Sequence, residues 1–261
     1  MTGAAGWDSR QYLKFERERT LPSRDLVGRI DLAAPRRVVD LGCGPGNSTA
    51  VLRQRWPDAD IVGVDSSAEM LDSARKSYPS IRWVQGDLKE WAPDGPCDLV
   101  FSNAALHWVP DHRGVLPRFW SWVAAGGALA FQVPARQSPP PAWLRALNAV
   151  CQRAPWRELL RDDEPPSPVL SLGEYYALLA PASRSVDLWE TEYYHVFAGP
   201  EAIVEWVRGT ALRSLLHRLG SDGRREEFLS EYAREVGLSY PRAPDGRVLF
   251  PFLRRFVIAY R

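Results

Sequence analysis

The chain has 261 residues, enough for one large domain, or one domain with a cap, around a sizeable core, and short for two independent domains. Its 33 Lys and Arg residues nearly balance 32 Asp and Glu, for a formal net charge of +1, so no global field recruits nucleic acid or an anionic membrane. No apolar run approaches membrane-spanning length, and the first ten residues lack the apolar core of a secretory signal, so the expectation is a cytoplasmic protein without nucleic-acid or membrane partners.

Apolar, β-branched runs at residues 37–41, 60–64, 81–85, 98–102 and 128–133 predict strands, and the helix-like stretches between several of them predict a parallel sheet covered by helices. The first run leads through Asp40 into Gly42-Cys43-Gly44-Pro45-Gly46-Asn47. Glycines there leave no Cβ to obstruct a nucleotide-like ligand and permit the angles of a tight strand-to-helix turn. The spacing is G-x-G-x-G, with Asn47 where a dinucleotide fingerprint places its third glycine, and this favours S-adenosylmethionine. Asn47 or Ser48 is expected to cap a helix running to about Trp56, where Pro57-Asp58 stops it.

Asp65 closes the second run, and its carboxylate can accept from both hydroxyls of a ribose. Ser66-Ser67 then opens a second helix. Asp87, in Gly86-Asp87-Leu88, follows the third strand, where a carboxylate can accept from an adenine amino group. Ser102-Asn103-Ala104 follows the fourth. In an open α/β sheet these loops meet beyond the carboxyl ends of the strands. Residues 111–123 predict a third helix, stopped by Gly126-Gly127.

Beyond Pro134 the pattern breaks. Proline clusters at 138–141 and 163–168 bracket a helical piece, 142–153, expected as a lid or substrate wall. Strand character returns at 185–194, helical spacing follows at 201–216 and 224–236, and a last strand is expected at 256–260. The three cysteines, Cys43, Cys97 and Cys151, are odd in number and widely spaced, which makes neither a disulfide framework nor a metal site.

Through 39–46, Val64-Asp65-Ser66-Ser67, Gly86-Asp87-Leu88 and Ser102-Asn103-Ala104, the first half of the chain resembles the class I S-adenosylmethionine-dependent methyltransferases. A narrower similarity runs almost end to end. It is carried by Trp7-Asp8, Tyr12-Leu13-Lys14-Phe15 and Arg19, by 103–108, by Thr191-Glu192-Tyr193-Tyr194-His195 and by 250–256, and it is to the trans-aconitate methyltransferase family. The resemblance implies one methyltransferase domain over 1–261. Its α/β, Rossmann-like sheet would have seven mostly parallel strands, the last antiparallel, with helical segments at 135–180 and 196–245 capping the acceptor pocket. It implies that Asp40 and the turn from Gly42 through Gly44 to Gly46 hold the methionine half of S-adenosylmethionine, Asp65 the ribose, and Asp87 with Leu88 the adenine, with Ser66 and Asn103 completing the cofactor site. No metal is expected, and the monomer is the favoured state.

A carboxylate acceptor is already ionised at neutral pH, so carboxyl methylation needs no general base. Holding a polycarboxylate takes arginine forks and hydroxyl or imidazole donors. Arg19, Tyr193, Tyr194, His195 and Arg255 are the candidates, with Trp108 as an apolar wall. Strand alternation turns Tyr193 and Tyr194, and likewise Arg254 and Arg255, to opposite faces. His107 would serve as a base only for a phenol, amine or carbon acid. The alternatives are therefore a methyltransferase of a specialised metabolite, acting at O, N or C, and a cofactor-binding interaction protein without turnover. Two positions depart from the family. Members carry a second arginine where this chain has Leu21 before Pro22, and a hydroxyl residue and histidine where it has Pro141-Ala142. A less carboxylate-rich acceptor would fit such changes, because an unpaired buried carboxylate is costly.

Overall fold

The computed structural model describes residues 14–135, 137–160 and 169–261; the opening motif through Leu13 and the second proline cluster at 163–168 lie outside the described residues. Seven strands form one sheet in the order β3-β2-β1-β4-β5-β7-β6. They are β1 (Arg37–Leu41), β2 (Asp60–Asp65), β3 (Arg82–Gln85), β4 (Cys97–Asn103), β5 (Val123–Pro134), β6 (Ser185–Phe197) and β7 (Val248–Tyr260). β1 to β5 pair in parallel, and β7 runs antiparallel to β5, with Ala128 opposite Tyr260 and Pro134 opposite Arg254. The expected class and the antiparallel last strand are therefore both present.

The chain divides into two compact units. Of the described residues, the sheet unit comprises 14–135, 169–191 and Leu253–Arg261. Its core is built by the apolar strand residues Val39, Leu41, Val64, Val100, Leu129, Phe131 and Val257, with Leu116 and Phe119 packing from the helix α4 (His112–Ser121). Parallel strands are covered on both faces, which is why these read as near-continuous apolar runs. α1 (Glu16–Arg29) buries Arg19, Pro22, Ser23, Leu26 and Val27 on one side, a helical spacing with few large apolar residues. α2 (Asn47–Arg55) and α3 (Ala68–Ser77) follow β1 and β2. Ser67 caps α3 by accepting from Met70 N, as expected.

Three local expectations are corrected. α2 is not capped by Asn47 or Ser48: its N-cap is Gly46, at φ +94° with no side-chain bond, because the Ser48 hydroxyl is drawn to Asp40. Gly126-Gly127 does not stop α4, which ends at Ser121; both glycines lie within β5, where the register against β4 jumps from Val123 to Ala128 and the intervening residues bulge. Residues 201–216 form two helices, α8 (Pro200–Arg208) and α9 (Arg213–Arg218), not one.

Of the described residues, the helical unit comprises 137–160 and Glu192–Phe252. Within it α5 (Ala142–Cys151) is tied to α10 (Asp222–Ser239) by Tyr232 Oη donating to Trp143 O at 3.1 Å. Its centre is aromatic: Trp206, Phe197 and Phe250 surround His195, and Trp156 of α6 (Trp156–Leu159) meets Phe228 edge-on at 5.4 Å. α7 (Leu172–Leu179) belongs to the sheet unit.

Candidate functional site

Strand order reverses beside β1, since β2 and β3 lie to one side and β4 and β5 to the other. A crevice must open at the carboxyl ends of β1 and β4, and a cavity is found there within the sheet unit. Gly42, Gly44, Asp65, Ser66, Asp87, Leu88 and Asn103 line it, so residues from the ends of four strands meet as expected. Arg19 and Trp108 also line it. Sequence reasoning missed Met70, Lys89 and Val109, which lie on helix and loop stretches with no motif to flag them.

The turn after β1 is locked by Gly42 N and Cys43 N, both donating to Val64 O, at 2.7 and 3.0 Å. Gly42 has φ +72°, and a Cβ there would overlap Ala105 Cβ. Only glycine meets both constraints. Asp65 Oδ2 accepts from Gly44 N at 2.9 Å and its Oδ1 from Ser67 N at 2.8 Å, so β2 and the turn share one carboxylate with lone pairs to spare. Burial pushes the Asp65 carboxyl up, and the amides of Ser67, Gly44 and Ser66 hold it down. Asp87 is exposed, and its Oδ1 accepts from Lys89 N.

Asp40 and Gly46 lie behind the lining. Asp40 is fully buried; its Oδ2 accepts from Ser48 and Thr49 hydroxyls, both at 2.7 Å, and its Oδ1 has no hydrogen-bond partner among the described residues. Burial raises its pKa to about 6, against the lowering effect of Thr49 and Ser48 and with a further rise from Asp65. Cys43 is buried beside both acids, and burial first, then Asp40 and Asp65, pushes its thiol well above the ordinary range, which removes it as a nucleophile.

The His107 ring lies against Trp108, with centroids 4.7 Å apart and planes tilted by 43°, and its Nδ1 is enclosed with no partner among the described residues. Burial, then Arg254, then His112 lower its pKa to about 3. Of the two last-strand arginines, Arg255 places Nε on Glu190 at 2.7 Å and Nη1 on Leu170 O, away from the cavity lining. Arg254 takes the opposite, buried face, where Nη1 donates to Gln132 Oε1. Tyr193, Tyr194 and His195 belong to the helical unit. There Tyr194 is exposed, Tyr193 stacks on His195, and His195 is buried in the aromatic centre, so the expected alternation holds. Among the described residues no helix is long and apolar enough to cross a membrane, and no group of three or more His, Cys, Asp or Glu is placed to hold a metal.

Comparison with known proteins places this geometry. Residues 38–127 match a methyltransferase domain model. Trans-aconitate 2-methyltransferase of Azoarcus sp. strain BH72 is 47% identical over 98% of this chain and 99% of its own length. The protein of that name from Variovorax paradoxus is 45% identical over 98% of each. The fold is shared with phosphoethanolamine N-methyltransferase 2 of Haemonchus contortus, solved with S-adenosylhomocysteine, at TM-score 0.54 and 13% identity, covering 92% of this chain and 52% of that one.

Proposed function

We infer the reaction from one premise: this chain belongs to the trans-aconitate 2-methyltransferase family. It is an S-adenosylmethionine-dependent methyltransferase, and the acceptor we propose is a carboxylate of trans-aconitate or a related small acid. The products are a methyl ester and S-adenosylhomocysteine. A small-molecule acceptor, a monomeric state and a cytoplasmic location belong to the same proposal.

The residues fit the cofactor. Gly42 and Gly44 leave the turn open to close approach, Asp65 has lone pairs for two ribose hydroxyls, and the orphaned Asp40 Oδ1 suits the methionine ammonium. Asp87 with Leu88 is assigned the adenine. The cofactor supplies an electrophilic methyl on a positive sulfur. The chain's contribution is to bind, align and exclude water, and juxtaposing bound reactants can lower a barrier by about 7–11 kcal/mol. Arg19 offers a cation to the acceptor and Trp108 an apolar wall.

One observation favours a carboxylate over other acceptors: His107 has its Nδ1 enclosed and is not among the residues that line the cavity, and burial lowers its pKa, so it is not placed to take a proton from a phenol or an ammonium. A carboxylate oxygen attacks with its own lone pair and needs no such help. The test is mass spectrometry after incubation with isotopically labelled S-adenosylmethionine and a panel of di- and tricarboxylic acids. A labelled, base-labile ester of trans-aconitate is expected. Labelled phenol ethers or methylamines with no ester from any acid would overturn the assignment.

A further inference from the structure

The carboxyl end of β4 carries a polar relay whose direction is fixed by donor chemistry. Arg254 Nη1 donates to Gln132 Oε1 at 3.2 Å, and Gln132 Nε2 donates to Asn103 Oδ1 at 3.2 Å. Arginine has five N–H donors and no acceptor, so the Gln132 edge that faces it must be the carbonyl. Gln132 then turns its NH2 toward Asn103, and Asn103 must answer with Oδ1. What remains for the cavity wall is Asn103 Nδ2, a donor with no bond to another of the described residues. Gln132 is fully buried in β5 and Arg254 is nearly so in β7. Reversing either amide would set N–H against N–H in a place water does not reach, a cost that keeps the relay in one sense.

The position narrows what the donor meets. Asn103 ends β4 and Asp65 ends β2, with β1 between them. The two lie about two strand spacings, roughly 10 Å, apart. The donor therefore sits away from the proposed ribose position, on the side where the cofactor's amino-acid half and the acceptor belong. An ammonium or an amine proton there would face another donor. A carboxylate oxygen would accept, and it would do so beside a buried guanidinium.

We propose that Asn103 Nδ2 donates to a carboxylate oxygen bound in the cavity, and that Gln132 and Arg254 are positioning residues that hold it in that sense. The inference rests on the carboxyl-methylation reading, and two carboxylates qualify: one on the acceptor and the α-carboxylate of the cofactor. Two constants separate them, KM for trans-aconitate at saturating cofactor and the calorimetric Kd of S-adenosylmethionine alone.

Asn103→Ala is expected to weaken one of these constants by roughly ten- to hundredfold, the loss of a hydrogen bond to a charged group. Asn103→Asp keeps the shape and presents an acceptor instead, so its loss exceeds that of Asn103→Ala. In Gln132→Glu the new carboxylate accepts from both neighbours, Asn103 turns Oδ1 outward, and the same constant falls. In an Asn103→Ala background, Gln132→Glu then adds less than about twofold, because no amide remains to be turned. A change in KM alone assigns the donor to the acceptor, and a change in Kd alone assigns it to the cofactor. Wild-type constants in Asn103→Asp overturn the relay, as does a Gln132→Glu loss that persists undiminished without Asn103. If Gln132→Glu does not fold, Asn103→Asp decides alone. A wild-type chain that forms no ester sinks the reading of function instead, and the cofactor Kd then decides the relay by itself.

Discussion

Asp40 shows how much one buried carboxylate can couple. Its pKa stands near 6 against an ordinary 3.8, so ionising it inside the protein costs the native state about 3 kcal/mol at pH 7, a penalty absent below about pH 4 and complete above about pH 6. If its free Oδ1 takes the cofactor's ammonium, binding favours the ionised form. Affinity is then full above pH 6 and falls as pH drops through that value. Calorimetric titration with S-adenosylmethionine from pH 5 to 8 is expected to show about a tenfold weakening per pH unit at the acid end, and Asp40→Asn is expected to flatten the profile while weakening binding at pH 7.5. A profile with the same slope in both proteins would remove Asp40 from the site. This carboxylate was visible in the sequence because its neighbours are local: Gly42, Ser48 and Thr49 all lie within nine positions. The Arg254 relay was not, since it joins residues 122 apart and depends on which face of β7 each arginine takes. A signal did exist, a lone glutamine in the apolar run Ala128-Leu129-Ala130-Phe131-Gln132-Val133. A buried amide needs partners, and the sequence did not say which.

Among the elements, strands in the first half were legible because parallel strands covered on both faces are short apolar runs between glycine and proline breaks. β7 was read as five residues and has thirteen, since Pro251 and the paired arginines interrupt an otherwise apolar segment. α1 was not read at all: its buried side includes Thr20, Pro22 and Ser23, so no apolar stripe marks it. α7 fell inside the helical segment expected at 135–180 but was given no bounds of its own, and it braces the turn at 106–108 that carries Trp108 of the cavity lining. His112 Nε2 donates to Leu106 O at 2.8 Å, which leaves Nδ1 to accept from the Tyr175 hydroxyl at 2.7 Å, and that oxygen accepts in turn from Leu170 N. Burial holds His112 neutral by lowering its pKa, as this pattern requires. Tyr175→Phe strands both the imidazole nitrogen and the Leu170 amide, so a loss of about 1–3 kcal/mol is expected from the shift in urea midpoint. An unchanged midpoint would mean that the turn at 106–108 is held by packing alone.

For the molecule as a whole, the described residues that line the cavity all belong to the sheet unit, which is assembled from three separate stretches of chain. S-adenosylhomocysteine at a hundred times its Kd is expected to stabilise the folded state by about 2.7 kcal/mol, which for a chain of this size corresponds to roughly 5–10 °C in a calorimetric scan. No shift at saturating product would argue that the cavity holds a different ligand.

The antiparallel strand next to β5 has a further consequence, for synthesis. β5 ends at Pro134 and its partner β7 begins at Val248, so at ordinary translation rates roughly 5–20 s separate the two on the ribosome. Throughout that interval the nascent sheet carries an open edge made of Ala128 to Val133, the kind of edge that recruits other strands or a chaperone. Arg254 emerges with β7, so until then the glutamine amide has no guanidinium to face, and the polarity at the mouth of the cavity is settled among the last events of folding.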